Sequence, residues 1–111
     1  MLRGDLLYCS ITQQDIDQAI ANPEYSPVFQ VCKREIIALG GTLICIDGRK
    51  ALVTWDEWNQ YEMTYNIVGA GEFSRALRAT RKGAKLAKAV GQCAAVMFGL
   101  KPTKFYVDLT Y

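Results

Sequence analysis

The sequence contains no histidine among its 111 residues. This removes the commonest general base and the commonest metal ligand near neutral pH. Ser-His-Asp and Cys-His catalysis and every histidine-containing zinc site are thereby excluded within one chain. The four cysteines, Cys9, Cys32, Cys45 and Cys93, form no C-x-x-C pair, and an all-cysteine zinc site usually needs closely spaced pairs. Neither a metal nor a cofactor is expected. Each cysteine lies in an apolar run, LLYCSI, VFQVCK, LICID or GQCAAV, where a reduced thiol acts as a small hydrophobe. Their even number leaves disulfides open, but the expectation is buried, reduced thiols, which fit a cytoplasmic compartment. Long apolar stretches are also missing. The longest uncharged one, residues 89–100, has twelve residues, against roughly 20 for a membrane span. Met1 to Asp5 are followed by too few apolar positions for a signal peptide.

What is present describes one globular domain over residues 1–111. Hydrophobic residues make up 50% and charged residues 22%, ordinary values for a folded chain. No repeat, low-complexity tract or linker divides it. A chain of this length buries roughly 65% of its extended surface, enough for a core without a metal or disulfide.

Local signals punctuate the chain. Leu6 to Ser10 can form a short strand. Thr12 reads as a helix N-cap, with Asp15 three residues on and Ile11 and Ile16 at the flanking staple positions; this helix should end near Ala21, before Pro23. Ser26-Pro27 restarts a helix with a capping serine and a proline at the first position. Its apolar stripe is Phe29, Cys32, Ile36 and Leu39, and Gly40-Gly41 stops it. Thr42 to Ile46 and Ala51 to Val53 are strand-rich and flank Asp47-Gly48, a strong hairpin signal. Thr54 with Glu57, and Val53 with Trp58, suggest another capped helix carrying Trp58, Tyr61, Tyr65 and Val68, ending at Gly69. Glu72 to about Phe98 is helical again, with a kink or break expected at Gly83 or Gly91. One straight helix there would span roughly 40 Å, too long for a domain whose radius of gyration should be about 13 Å. Phe105, Val107, Leu109 and Tyr111 alternate with polar neighbours, as in a half-buried strand that joins the hairpin. The fold class expected is α+β, with about four helices and a small antiparallel sheet.

From Thr12 to Trp58 the order helix, turn, helix, hairpin, helix resembles the helix-turn-helix with a β-wing of MerR-like and excisionase-type DNA-binding domains. The likeness covers about half the chain and rests on element order. It implies Gln30, Lys33 and Arg34 on a recognition helix and Arg49 and Lys50 at a wing tip, side chains suited to base edges and phosphates.

Charge divides by position. Residues 1–72 hold five basic and ten acidic side chains, net −5, whereas residues 73–111 hold eight basic and one acidic, net +7. Six of those bases, Arg75, Arg78, Arg81, Lys82, Lys85 and Lys88, fall on one helical arc of about 140° at 100° per residue. Such a face can bind a nucleic-acid backbone through counterion release. It can equally be a solvated face paired with the acidic part of this chain or of a neighbour. Unbroken like charge at i, i+4 costs tenths of a kcal/mol per pair, which favours an anionic partner.

Other patterns are weaker. Ile67 to Ser74 superficially follows a dinucleotide fingerprint, but Ser74 replaces the third glycine and no acid follows about 20 positions on. A helix stop and restart is the expected reading. Trp55, Trp58, Tyr61 and Tyr65 are either stacking platforms for bases or core. The small residues Ala76, Ala79, Gly83, Ala84, Ala87, Ala94 and Ala95 permit close helix packing, within the fold or between copies. A metal-independent nuclease would need a carboxylate beside the basic arc, and nothing in the sequence places one there. The function expected is therefore non-catalytic nucleic-acid binding (DNA or RNA) through Arg75 to Lys88, helped by Lys33, Arg34, Arg49 and Lys50. The alternative is a protein-interaction module that docks its basic helix on an acidic partner or self-assembles head to tail.

Overall fold

The computed structural model describes residues 6–55 and 62–109. Five strands form one antiparallel sheet in the order β1-β5-β4-β3-β2. In chain order the strands are β1 (Leu6–Ile11), β2 (Thr42–Asp47), β3 (Lys50–Thr54), β4 (Glu62–Val68) and β5 (Thr103–Asp108), and the helices are α1 (Gln13–Ala21), α2 (Pro27–Ala38), α3 (Gly71–Ala89) and α4 (Ala94–Met97). The molecule is a small α+β domain.

The first two helices begin where their caps require. The Thr12 hydroxyl accepts from the Asp15 N–H, and the Asp15 carboxylate accepts from the Thr12 N–H at 3.0 Å. Ser26 caps α2 by accepting from the Phe29 N–H, with Pro27 in the first turn. α2 packs against β1 and β2, burying Val31, Cys32 and Ile36. Phe29 and Leu39 of the expected stripe are only half-buried. The sheet supplies the other wall of the core through Cys9, Ile11, Val53, Tyr65, Phe105 and Val107. The Cys9 thiol is held protonated by the adjacent Cys32 thiol and by burial, and both cysteines are fully buried in the core.

Several expectations change. The helix expected from Thr54 to Val68 is not formed over its described part: Thr54 closes β3, and residues 62–68 are β4. Met63, Tyr65 and Ile67 turn inward while Glu62, Thr64, Asn66 and Val68 face out, a period of two that competes with the helical stripe through Tyr65 and Val68. Glu57, Trp58 and Tyr61 lie outside the described residues. Trp55 and Tyr65 are core: the indole N–H donates to the Tyr65 hydroxyl at 2.7 Å and the rings meet edge to face.

With β4 in this place the winged arrangement does not arise. The hairpin forms as expected, with Asp47 opposite Lys50 and Gly48 at φ 60°, but β3 is an interior strand of the sheet and α2 lies on that sheet instead of standing free. The C-terminal strand enters between β1 and β4, so β4 separates it from the hairpin. Cys45 and Cys93 are exposed, not buried. The register shifts between Leu43 and Cys45, a bulge that spends one extra residue and turns Cys45 outward. Cys93 stands at the N-cap position of α4, in the connection after α3, without a side-chain capping hydrogen bond.

The long helical region breaks at Gly91, at φ 71°. Gly83 stays within α3, where a Cβ would stand 2.0 Å from the Phe98 ring, so glycine there admits the return of α4. α3 packs on α1 and α4, and the molecule is elongated, 54 × 21 × 20 Å, with a radius of gyration of 15.6 Å. Leu86, Val90 and Val96 are more than half exposed. No helix among the described residues is long and apolar enough to cross a membrane.

Candidate anion-binding cleft and basic helix face

α3 turns its apolar side, Phe73, Leu77, Thr80 and Ala87, inward. On the other side Arg75, Arg78, Lys82, Lys85 and Lys88 are exposed. None of these five has an ion-pair or hydrogen-bond partner among the described residues. The one salt bridge among the described residues joins Arg34 of α2 to Asp15 of α1 at 3.3 Å. Neutralisation of the basic face by the acidic part of the chain is thus not seen among the described residues.

Arg81 differs from its neighbours. Its guanidinium donates to the carbonyls of Ala19 at 3.1 Å, Asn22 at 3.5 Å and Tyr25 at 2.7 Å. These acceptors include a carbonyl from the last turn of α1 and others just beyond it, where carbonyls have no partner within the helix and a cation is favoured. Arg81 therefore ties α3 to α1, and its capacity for an external phosphate is largely spent.

At the start of α3 lies a cleft of about 1050 Å³. Four arginines reach it: Arg75, Arg78 and Arg81 from α3, and Arg49 from the hairpin tip. Its apolar lining comes from Phe29 of α2, Ile46 of β2, Ile67 of β4 and Leu77 of α3. Asn66 and Asp108, paired across β4 and β5, contribute an amide and a carboxylate to the same wall. Gly69, at φ 93°, ends β4 and turns the chain through Ala70 into α3. The N-cap Ala70 makes no side-chain hydrogen bond, unlike the caps of α1 and α2.

The structure thus brings Arg49, Arg75, Arg78 and Arg81 to one cleft and continues the basic face through Lys82, Lys85 and Lys88. It does not bring in the others. Lys33 and Lys50 are exposed but outside the cleft lining, and Arg34 is bound to Asp15. Ser26, Phe29, Asn66, Asp108 and the Gly69-Ala70-Gly71 turn were not among the expected site residues. Ile67 to Ser74 held the signal for the turn: once residues 62–68 are a strand, the glycines join a strand to a helix, not one helix to another.

Buried Asp15 shows what a satisfied charge looks like in this protein. Burial pushes its carboxyl up, but the Thr12 N–H and hydroxyl, the Arg34 guanidinium and the Tyr25 hydroxyl together hold it below the ordinary carboxylate value. Compared with known proteins, the chain matches no family model, no curated protein and no solved structure.

Proposed function

We infer that this protein is a non-catalytic nucleic-acid-binding protein of the cytoplasm, whose contact surface is the exposed face of α3 with Arg49 beside it. The observation that carries the reading is the row Arg75, Arg78, Lys82, Lys85 and Lys88, exposed and without a carboxylate partner among the described residues. Cations held close together at such density repel one another, and a polyanion relieves that repulsion while releasing its own counterions.

The test is fluorescence anisotropy on duplex and single-stranded oligonucleotides across a salt series. Five phosphate contacts predict a slope of log affinity against log salt of about −4.5 on duplex DNA and about −3.5 on single strands. An Arg78→Glu, Lys82→Glu double variant should bind at least tenfold more weakly. Undiminished affinity in that variant overturns the reading.

A second reading, a protein-interaction module, is favoured by one feature: Leu86, Val90 and Val96 are 54–78% exposed near the lysine end of the basic face. It predicts no oligonucleotide binding at moderate salt, and either a specific acidic partner or salt-sensitive self-association in sedimentation.

A further inference from the structure

The cleft carries an inference that rests in part on the nucleic-acid reading but can stand without it. Three of its guanidiniums, those of Arg49, Arg75 and Arg78, have no ion-pair or hydrogen-bond partner among the described residues, and they come from two separate elements that converge on one volume. The Asp108 carboxylate on the same wall offsets one charge, yet the cleft keeps a cationic excess, and a dianion relieves more of the repulsion among the arginines than a monoanion. A phosphate monoester carries about −1.5 to −2 charges near neutral pH, whereas a phosphodiester in a strand carries one. Guanidiniums also match phosphate oxygens with paired N–H donors.

Charge alone would describe a site for inorganic phosphate. The cleft is larger than that, at about 1050 Å³, near the upper end of ordinary small-molecule sites of roughly 300–1,000 Å³. Phe29 and Leu77 offer apolar surface beside the arginines, and Asn66 offers an amide donor and acceptor. A dianionic head, a flat apolar body and hydrogen-bonding edges are together the chemistry of a nucleotide.

We propose that this cleft binds a nucleoside monophosphate unit, with its phosphomonoester on Arg49, Arg75 and Arg78 and its base against Phe29 and Leu77. The unit is either a free nucleotide or the phosphorylated end of a strand lying along α3. Both present the same group to the arginines, and the test separates them.

Adenosine 5′-monophosphate, adenosine, and single-stranded oligonucleotides with a 5′-phosphate or a 5′-hydroxyl are titrated into ¹⁵N-labelled protein and followed by amide shifts. The monophosphate should shift the amides of Asn66, Gly69, Gly71 and Ser74 saturably, leave those of Lys85 and Lys88 unmoved, and bind at least tenfold more tightly than adenosine. Arg49→Gln should weaken it about tenfold. Gly71→Val, at a cleft-lining position where an added Cβ meets no heavy atom within 4 Å, should weaken binding at least tenfold while the remaining amide spectrum stays that of the folded parent. A tenfold preference for the 5′-phosphorylated strand assigns the site to strand ends. Monophosphate binding without oligonucleotide binding assigns it to the free nucleotide, overturning the nucleic-acid reading and leaving this one standing. Failure of the monophosphate to bind, together with no preference for a phosphorylated end, overturns the proposal whether or not oligonucleotides bind α3.

Discussion

In the first half of α3 the cations are arginines that reach the cleft and, through Arg81, the carbonyls at and beyond the end of α1; from Lys82 onward they are lysines exposed to solvent. The two side chains suit the two settings. A guanidinium offers a rigid fork that can satisfy several oxygens at once, whereas an ammonium on a flexible stem acts as a hydrated point charge. The same arc of positive charge therefore divides into a part bound up with the fold and a candidate pocket, and a part whose removal should leave the fold intact.

The sharpest way to break this division is at Arg81. Arg81→Met keeps the length and apolar stem while removing the donors to Ala19, Asn22 and Tyr25. Charge-assisted hydrogen bonds contribute about 1.5–3 kcal/mol each but do not add, and the freed carbonyls can turn partly to water. The expected loss is about 3 kcal/mol, read as a lower urea midpoint at unchanged slope. A loss below about 0.5 kcal/mol would place Arg81 with the lysines.

Next in size is Asp15, at the opposite end of α1, whose contacts hold α1 to Arg34 and Tyr25. Asp15→Asn should cost about 2 kcal/mol, because it weakens a buried, multiply bonded acceptor. The folded carboxyl has its pKa lowered by the Thr12, Arg34 and Tyr25 contacts, which overcome the opposing effect of burial. Its contribution is therefore full above the unfolded carboxylate's pKa and is lost as pH falls through the lower folded value. Urea titrations through the acid range should show that loss in the parent and a weaker one in Asp15→Asn.

Smaller again is Gly83→Ala, at the junction of the two halves. Helix propensity alone would stabilise the variant by about 1 kcal/mol. The new Cβ, however, meets the Phe98 ring, which must swing out, and the helix return loosens. We expect net destabilisation of about 1 kcal/mol by thermal melting. Combining it with Phe98→Ala should be clearly non-additive.

Where the sequence was legible, a local rule and the tertiary structure agreed. The Thr12 and Ser26 caps and the Asp47-Gly48 hairpin each depend on a few adjacent residues, and each forms where expected; the helix break was expected at Gly83 or Gly91, and the contact of Gly83 with Phe98 and the positive φ of Gly91 place it at Gly91. β4 was hidden because Tyr65 and Val68 satisfy the helical stripe while Met63, Tyr65 and Ile67 satisfy a strand. Pairing with β3 and β5 decides between them, and that pairing is made by residues distant in sequence. The cleft was hidden for the same reason, since its glycine turn acquires its meaning only when a strand precedes it. Cys45 depended on a bulge that no local signal marked. The basic arc was legible as a row of charges. That Arg81 is bound to backbone carbonyls while Arg78 is not could be read only from the position of α1.

The smallest effect on stability tests the other side of the division. Lys85→Ala with Lys88→Ala removes two exposed ammonium groups that have no ion-pair or hydrogen-bond partner among the described residues, and alanine is the better helix former. Stability should stay within about 0.5 kcal/mol of the parent. If these lysines contact phosphates, their loss should still make the salt dependence on duplex DNA shallower by about 1.8, from roughly −4.5 to roughly −2.7. A stable variant with an unchanged slope would mean that the strand does not follow the lysine half of α3, and would confine any nucleic-acid contact to the arginine half and the cleft.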